Sequence, residues 1–310
     1  DAEVKGLSSF GAFFNVNGEL DCLVHLQEIS YSRVNHPDEI FSIGEKHDLK
    51  VISDTAQAPG ALYHGKYAGT LADIGGYSLN YHKHIHTGEG GILVTNDDEL
   101  ADRMRLIRNH AEAVVEDKGV TSLNNMIGHN FRLGEIECAI GIEQLKKLKE
   151  LVTTRQQAAE RLAEGLKDLT GLRLPIINDD CTHVYYVFPL IVNVDKLGVS
   201  RDLIIRALEA EGVSGLTSGY ANIHLLPMYQ KKIAYGSHGF PWTLREARQN
   251  INYAKGICPV AEKLHEKTFI GLEMCLYEMS DNDISLVISA FIKVWNNVDS
   301  LKTKSLEFTS

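Results

Sequence analysis

The chain has 310 residues, a formal net charge of −10 and 44% apolar residues. Because a domain has about 150 residues, this length predicts about two domains, and the composition excludes a disordered or collagen-like chain. The acidic charge argues against general attraction to nucleic-acid phosphates, and no apolar run reaches the roughly 20 residues that cross a bilayer. The amino end has no secretory pattern, so we expect a cytoplasmic protein without a membrane partner.

Short β-rich runs alternate with helical patterns, which predicts an α/β fold. Strands are predicted at 50–52 and 91–95, and a helix is predicted from Asn96, as N-cap, to Asn109. A long helix is predicted over 134–166, with a broad apolar face made of Ile136, Ile140, Leu145, Leu148 and Val152.

The carboxyl-terminal part continues this alternation. A β-rich segment at 184–192 is interrupted by Pro189, and a helix is predicted from Ser200 to about Glu211. The last helix begins at a capping box of Ser280 and Asp283. We expect it to bury an apolar face made of Val287, Phe291, Val294, Trp295 and Val298.

The five cysteines show no paired spacing, so neither a disulfide framework nor a zinc site is predicted. They are scattered over the chain as Cys22, Cys138, Cys181, Cys258 and Cys275. The alternating His82, His84 and His86 are compatible with a metal site on one face of a strand. No Cys or carboxylate flanks them at a supporting distance, so we expect no bound metal.

The residues between Asp54 and Gly91 include several polar side chains that together form a candidate catalytic motif. A strand ends in the run Asp54 to Ala58, and Ser78 and Lys83 precede a Gly-Glu-Gly-Gly turn at 88–91. This pattern resembles the signature of the DegT/DnrJ/EryC1/StrS sugar aminotransferases, which have the pyridoxal-phosphate fold type I. One departure is Leu79, where the family has Phe. Further segments resemble family landmarks, namely 108–110, 130–133, 224–227 and 258–262.

The resemblance spans about residues 46–302 and implies the fold. We expect a mixed, mostly parallel sheet flanked by helices at 47–145, the remainder of the large cofactor-binding domain, and a smaller α+β domain at 146–310. The family's amino-terminal phosphate-binding loop has no counterpart in this sequence. We therefore expect weak or absent cofactor binding.

The resemblance also implies pyridoxal 5′-phosphate as the cofactor and Lys83 as the catalytic residue. Lys83 would form the Schiff base with the cofactor aldehyde and then carry protons, and lysine suits both roles because burial readily changes its protonation. Asp54 would pair with the pyridine nitrogen, and Gln57 would contact the ring oxygen. Ala56 belongs to the same cofactor-binding motif.

Two further residues are assigned to the cofactor phosphate by the same resemblance. Ser78 would hold a phosphate oxygen, and Asn130 would reach the phosphate of the neighbouring subunit's cofactor. The second assignment implies a homodimer with shared active sites.

The resemblance implies transfer of an amino group from L-glutamate to a nucleotide-linked 4-keto-6-deoxy sugar, in polysaccharide biosynthesis. His84, next to Lys83, and His224 are the expected substrate contacts. Relatives that act as dehydratases carry His in place of the lysine, so Lys83 favours transamination. A dehydratase remains an alternative.

The first 46 residues resemble a different family. Residues 4–45 are similar to part of an S1 domain, the OB-fold RNA-binding module of ribosomal protein S1, through segments at 10–13, 21–25, 29–37 and 43–45. In such modules aromatic side chains stack on RNA bases, and Phe10, Phe13 and His25 match those positions.

The charge of this segment opposes RNA contact, because residues 1–52 hold nine acidic and four basic side chains. We therefore expect no nucleic-acid partner, and we expect the piece to pack as a hairpin on the aminotransferase sheet. The alternative function is a catalytically inactive fusion with an RNA-binding or scaffolding role.

Overall fold

The computed structural model describes residues 2–8, 11–16, 18, 20–25, 36–44, 46–47, 49–111, 126–245, 247 and 251–307. The chain divides into two compact units. One combines Asp1–Lys50 with Tyr220–Glu262, and the other combines Val51–Gly219 with Lys263–Ser310. The domain limits expected after residues 46 and 145 stay predictions.

The amino-terminal strands form an antiparallel sheet in the order β3-β2-β1-β4. They are β1 (Ala2–Ser8), β2 (Gly11–Val16), β3 (Leu20–His25) and β4 (Lys46–His47). Alternate residues face a small core in which Val4 and Phe14 are fully buried, and the Phe41 ring packs edge-on against Phe14 with the ring centroids 5.1 Å apart. The S1-like β segment is confirmed. The described strands of this segment pair with one another, and the expected packing on the aminotransferase sheet stays a prediction.

Three of the five strands that follow build a mixed sheet, which confirms the expected fold class. They are β5 (Ile52–Asp54), β6 (Leu62–Tyr63), β7 (Lys66–Tyr67), β8 (Ile74–Ser78) and β9 (Gly91–Val94). β8 is parallel to β5 on one side and antiparallel to β9 on the other, while β6 and β7 form a separate hairpin.

Two helices follow, α1 (Asp98–Arg108) and α2 (Glu135–Leu166). The N-cap of α1 is Asp97 rather than the predicted Asn96, because the Asp97 carboxylate accepts the backbone N–H of Leu100. In α2 the apolar face is buried at its carboxyl-terminal end, where Leu162 is fully buried, whereas Ile136 is 75% exposed.

The remaining elements alternate as the sequence indicates. They are β10 (Leu172–Arg173), β11 (Val187–Val192), α3 (Val194–Leu197), α4 (Arg201–Ala210), β12 (Leu216–Thr217), α5 (Pro227–Lys231), α6 (Pro259–Lys263), β13 (Phe269–Glu273), α7 (Asp281–Asn296) and α8 (Val298–Glu307). An antiparallel sheet in the order β10-β11-β13-β12 packs against α2, α4 and α7 around one large core. In the part of the chain that the structure describes, no helix has both the length and the apolar content needed to cross a bilayer.

Sequence signals for these elements hold except at Pro189 and at Val298, which was expected on the helix after Ser280 but begins the separate helix α8. Ser200 caps α4, and Ser280 and Asp283 form the capping box of α7, as predicted. Pro189 does not interrupt its strand but lies opposite Gly271 within β11. This position tolerates a residue without an N–H because β10 pairs only with Ile191 and Val192, beyond the proline.

The sheet that holds Asp54 and Ser78 leaves no space beside Gly75. A Cβ atom on Gly75 would lie 1.9 Å from the carbonyl oxygen of Gly69, whereas a Cβ on the next residue, Gly76, would first meet the Leu93 side chain at 3.4 Å. The loop that follows β7 therefore lies directly against β8, and only glycine permits this contact.

We expect Gly75→Ala to lower the free energy of unfolding by about 3 kcal/mol, because backbone atoms must move to make room for the methyl group. Gly76→Ala, one position along the same strand, is the matched control and should change it by less than about 1 kcal/mol. Urea unfolding followed by circular dichroism measures both. Equal stability of the two variants would contradict this close packing.

Candidate functional site

The parallel strands β5 and β8 end at the same edge of their sheet and place two predicted site residues there. Asp54 is the last residue of β5 and is paired in register with Gly76, two residues before Ser78 at the end of β8. Ligand sites of open α/β sheets lie outside the carboxyl ends of parallel strands. The structure therefore brings Asp54 and Ser78 to the edge where such a site is expected.

The motif after β5 forms a turn that keeps the Asp54 carboxylate at the surface. One carboxylate oxygen accepts the backbone N–H of Ala56 at 3.0 Å, and the Thr55 hydroxyl donates to the carbonyl of Gly76 at 2.8 Å. Thr55 is buried, while Asp54 and Gln57 are exposed. The turn thus presents a carboxylate and a carboxamide at the same edge of the sheet.

The segment between β8 and β9 is a closed loop whose two ends are hydrogen-bonded to each other. The backbone N–H of Leu79 donates to Gly90 at 2.8 Å, and the N–H of Thr87 donates back to Leu79 at 3.0 Å. Gly90 has φ = 156°. A Cβ atom there would lie 3.0 Å from the side chains of Leu133 and Thr87, which would have to shift, so this position of the turn favours glycine.

Lys83 lies at the buried centre of this loop, only 8% exposed. Its ammonium nitrogen lies 4.3 Å from the centroid of the Tyr186 ring, and its backbone N–H donates to Asn80 at 3.0 Å. Among the described residues, no carboxylate forms an ion pair with Lys83. A buried amine with no acidic partner is suited to react with an electrophile.

His84 is more deeply buried than Lys83, with 2% exposure. One ring nitrogen, Nε2, lies 2.7 Å from the Val184 carbonyl and donates to it, while Nδ1 has no hydrogen-bond partner among the described residues. Burial lowers the pKa of His84 to about 4 against the opposing effect of the Val184 hydrogen bond, and the positive charges of Arg155 and Lys83 lower it further. His84 is therefore neutral at physiological pH.

Three residues near Lys83 were not singled out in the sequence: Arg155, Tyr186 and Cys275. Arg155, on α2, is 8% exposed and its Nε donates to the Met274 carbonyl at 2.9 Å. Burial raises the pKa of Cys275 to about 11, although the positive charges of Arg155 and Lys83 oppose this shift. The sequence could have indicated Arg155, because it is a charged residue on the apolar, buried face of the predicted long helix.

A cavity of about 640 Å³ lies between the mixed sheet and α2. Its walls are mostly apolar and include Ile85 from the Lys83 loop and Leu148 from α2, while Ser78 contributes a hydroxyl group. The Ser78 oxygen accepts the N–H of Asn80 at 3.2 Å, so the hydroxyl proton is available to an acceptor in the cavity. Leu79, which replaces the family's Phe, is 3% exposed and fills an apolar position on the same wall.

Among the described residues, no hydrogen bond joins the Asn130 side chain to Asp54, Ser78 or Lys83. Asn130 is exposed, and its side-chain oxygen accepts from Arg132 at 3.0 Å. His224 belongs to the other compact unit, where its Nε2 lies 2.8 Å from a carboxylate oxygen of Glu262. Both assignments, like that of His84 as a substrate contact, stay predictions.

Glu262 has more partners than His224 alone. Its carboxylate also accepts the backbone N–H groups of Gly256 at 2.8 Å and of Cys258 at 3.2 Å. Burial raises the pKa of Glu262, but these hydrogen bonds together with His224 outweigh it and the net shift is downward. The pair therefore ties the loop at 256–258 to His224.

The alternating histidines do not share one face of a strand. They lie in the Lys83 loop, where His84 is buried and His86 is exposed. Within the ranges that the structure describes, no group of three His, Cys, Asp or Glu side chains has the geometry of a metal site.

Of the residues matched to RNA contacts, Phe13 is described in full. It lies on β2 with 39% of its surface exposed. Phe10 lies outside the described residues, and for His25 the backbone is described as part of β3 but the side chain is not.

Comparison with known proteins assigns most of the chain to one family. The model of the DegT/DnrJ/EryC1/StrS aminotransferase family matches residues 31–291, and the model of the S1 RNA binding domain matches residues 1–53. The aminotransferase from Psychrobacter cryohalolentis superposes with a TM-score of 0.65 at 27% identity, covering 82% of this chain and 63% of that structure.

Two curated relatives show the same coverage pattern. GDP-perosamine synthase of Caulobacter vibrioides is 33% identical over 208 residues, which is 66% of this chain and 53% of that protein. The spore coat polysaccharide biosynthesis protein SpsC of Bacillus subtilis is 29% identical over 269 residues, 84% of this chain and 64% of that protein. The chain thus spans between about half and two thirds of the length of these relatives.

The depressed pKa of His84 predicts a specific pH dependence of stability. The unfolded chain takes up a proton at this histidine near pH 6.5 and the folded chain only near pH 4, so stability falls as the pH decreases between these values. The full contribution is about 3 kcal/mol. His84→Gln, which can still donate to Val184, should remove this part of the pH dependence.

Urea unfolding at pH 6.5 and at pH 4.5 measures the effect, with His86→Gln, an exposed histidine of the same loop, as the matched control. His86→Gln should retain the pH dependence of the unaltered chain. The same pH dependence in His84→Gln would contradict the burial of a neutral histidine.

Proposed function

This chain belongs to the DegT/DnrJ/EryC1/StrS aminotransferase family, and from that premise we propose that it is a pyridoxal-phosphate-dependent enzyme that transfers an amino group to a nucleotide-linked sugar. The observation that carries this proposal is the setting of Lys83. The family's lysine lies buried, with no carboxylate partner among the described residues, in a closed loop beside the strand ends that bear Asp54 and Ser78.

The residues present fit the cofactor. The carboxylate of Asp54 would hold the pyridinium N–H, and the described turn engages one of its two oxygens. The Ser78 hydroxyl can donate to a phosphate oxygen, and the amine of Lys83 can bond to an aldehyde carbon. The bound cofactor would supply an electron sink for the substrate carbanion, and Asp54 would favour this by keeping the ring nitrogen protonated.

Lys83 would also move the proton that transamination requires. A free amine in a buried site would take the proton from the α-carbon of the amino donor and deliver it to the cofactor's aldehyde carbon. It would move a proton in the opposite sense to the sugar carbon that receives the amine. A histidine in this position would not bond covalently to the cofactor. Lys83 therefore supports transamination rather than dehydration.

We propose a nucleotide-linked 4-keto-6-deoxy sugar as the amino acceptor and L-glutamate as the donor, in polysaccharide biosynthesis. The likeness to GDP-perosamine synthase supports a nucleotide-linked sugar, and the likeness to the spore coat protein SpsC supports the polysaccharide pathway. His84 and His224 are the proposed substrate contacts. The Nδ1 atom of His84, without a protein partner among the described residues, is the atom through which it would act.

We further propose a homodimer in which Asn130 reaches the cofactor phosphate of the neighbouring subunit. The exposed amino-terminal part of α2 supports an interface, since Ile136 is 75% and Leu145 is 60% exposed. Exposed apolar residues that recur along one helix commonly mark protein contacts. Asn130 is exposed near the start of the same helix and its side chain is oriented by Arg132.

Lys83→Ala should abolish covalent attachment of pyridoxal phosphate. The chain is incubated with the cofactor, reduced with borohydride and digested, and the modified peptides are identified by mass spectrometry. Lys149→Ala is the matched control, because Lys149 lines the cavity but lies on α2. It should retain the modification at residue 83.

Modification of Lys149 instead of Lys83 in the unaltered chain would contradict the assignment. Retention of the reduced cofactor in Lys83→Ala would contradict it equally.

The alternative function, RNA binding, is supported by the match of residues 1–53 to the S1 model. Its nine acidic and four basic side chains oppose phosphate contact. We therefore expect no salt-dependent change in the fluorescence anisotropy of a labelled single-stranded RNA when the chain is added. Binding that weakens as salt is raised would favour the RNA-binding alternative.

A further inference from the structure

The Lys83 ammonium lies on the face of an aromatic ring. The distance from its nitrogen to the centroid of the Tyr186 ring is 4.3 Å, well within the roughly 6 Å over which a ring face attracts a cation. Because Lys83 is only 8% exposed, water screens this attraction weakly.

Among the groups that act on this region from neighbouring elements, Glu273 supplies a negative charge, which acts on the Cys275 thiol. Arg155 on α2 is cationic, His84 is neutral with a pKa of about 4, and the Cys275 thiol is neutral with a pKa raised to about 11 by burial. Among the described residues, no carboxylate lies within ion-pair distance of the Lys83 nitrogen. In the part of the chain that the structure describes, the Tyr186 ring face is the group that contacts the Lys83 nitrogen and stabilises its charge.

The position of Tyr186 is fixed by the backbone on both sides. Its carbonyl accepts the N–H of Met274 at 3.2 Å, and the next residue, Val187, begins β11 in register with Glu273. Tyr185 has φ = 52°, in the left-handed region that a bulky residue rarely adopts. This turn buries Tyr185 in the core while the following side chain lies under Lys83.

We propose that Tyr186 is a positioning residue that holds the Lys83 ammonium whenever the lysine is not bonded to the cofactor. This inference rests on the proposed function, in which Lys83 alternates between a bonded and a free state. The ring face stabilises the free ammonium, and it therefore opposes both cofactor attachment and attack on other electrophiles. The ring thus keeps the free lysine in the position from which it transfers protons.

Substitution of Tyr186 by Leu tests this in the cofactor-free chain. The rate at which N-hydroxysuccinimidyl acetate acetylates Lys83 is measured by peptide mass spectrometry, with Lys149 as the reference lysine in the same samples. Loss of the ring face should raise the rate at Lys83 about three- to tenfold, because the nitrogen is no longer held against the ring. Tyr186→Phe retains the ring face and should stay within about twofold of the unaltered chain.

Cofactor attachment provides a second measurement with the same expected direction. At subsaturating pyridoxal phosphate, Tyr186→Leu should show a several-fold higher fraction of borohydride-reduced Lys83 than the unaltered chain, and Tyr186→Phe should match the unaltered chain. A purely structural role for Tyr186 predicts the opposite, since a damaged site attaches less cofactor. A fall or no change in both measurements would overturn the proposal.

Pentafluorophenylalanine at position 186 keeps the shape of a ring while it reverses the charge distribution of its face. It should raise the acetylation rate as Tyr186→Leu does, and it replaces that variant if Tyr186→Leu does not fold. An unchanged rate would overturn the inference. If the unaltered chain never attaches the cofactor, the proposed function fails, whereas the acetylation rates still decide the role of Tyr186.

Discussion

The burial of one lysine without an acidic partner in the described structure is the constraint on which the site depends. Transfer of an ammonium group out of water is costly unless it is paired or solvated by protein groups. Lys83 is held in this position by a loop that is closed by the hydrogen bond between Leu79 and Gly90. The charged nitrogen of Lys83 contacts the face of the Tyr186 ring. The tight backbone of this loop keeps the amine buried.

Three side chains around Lys83 are neutral or positively charged. His84 and Cys275 remain neutral because burial disfavours their charged forms, and Arg155 is anchored to a backbone carbonyl rather than to a carboxylate. Such a site suits an anionic ligand that carries an electrophilic carbon. Asp54, at the end of β5, contributes an exposed carboxylate at the sheet edge near which Ser78 ends β8.

Local sequence patterns predicted the elements and the motif well, but they did not predict the contacts that join distant segments. Ser200, Ser280 and Asp283 revealed helix starts because capping is a local interaction, and the spacing of Asp54, Ser78 and Lys83 revealed the family. Tyr186 and Arg155 escaped notice because their proximity to Lys83 arises from tertiary packing. Pro189 was misjudged for a similar reason, since the short extent of β10 decides whether its missing N–H matters.

The most direct test of the central claim is a crystal structure of the chain soaked with pyridoxal phosphate. Our account predicts continuous electron density from the Lys83 nitrogen to the cofactor, with the ring nitrogen next to the Asp54 carboxylate and the phosphate next to the Ser78 hydroxyl. Cofactor density that is joined to another lysine, or a phosphate bound away from Ser78, would contradict it.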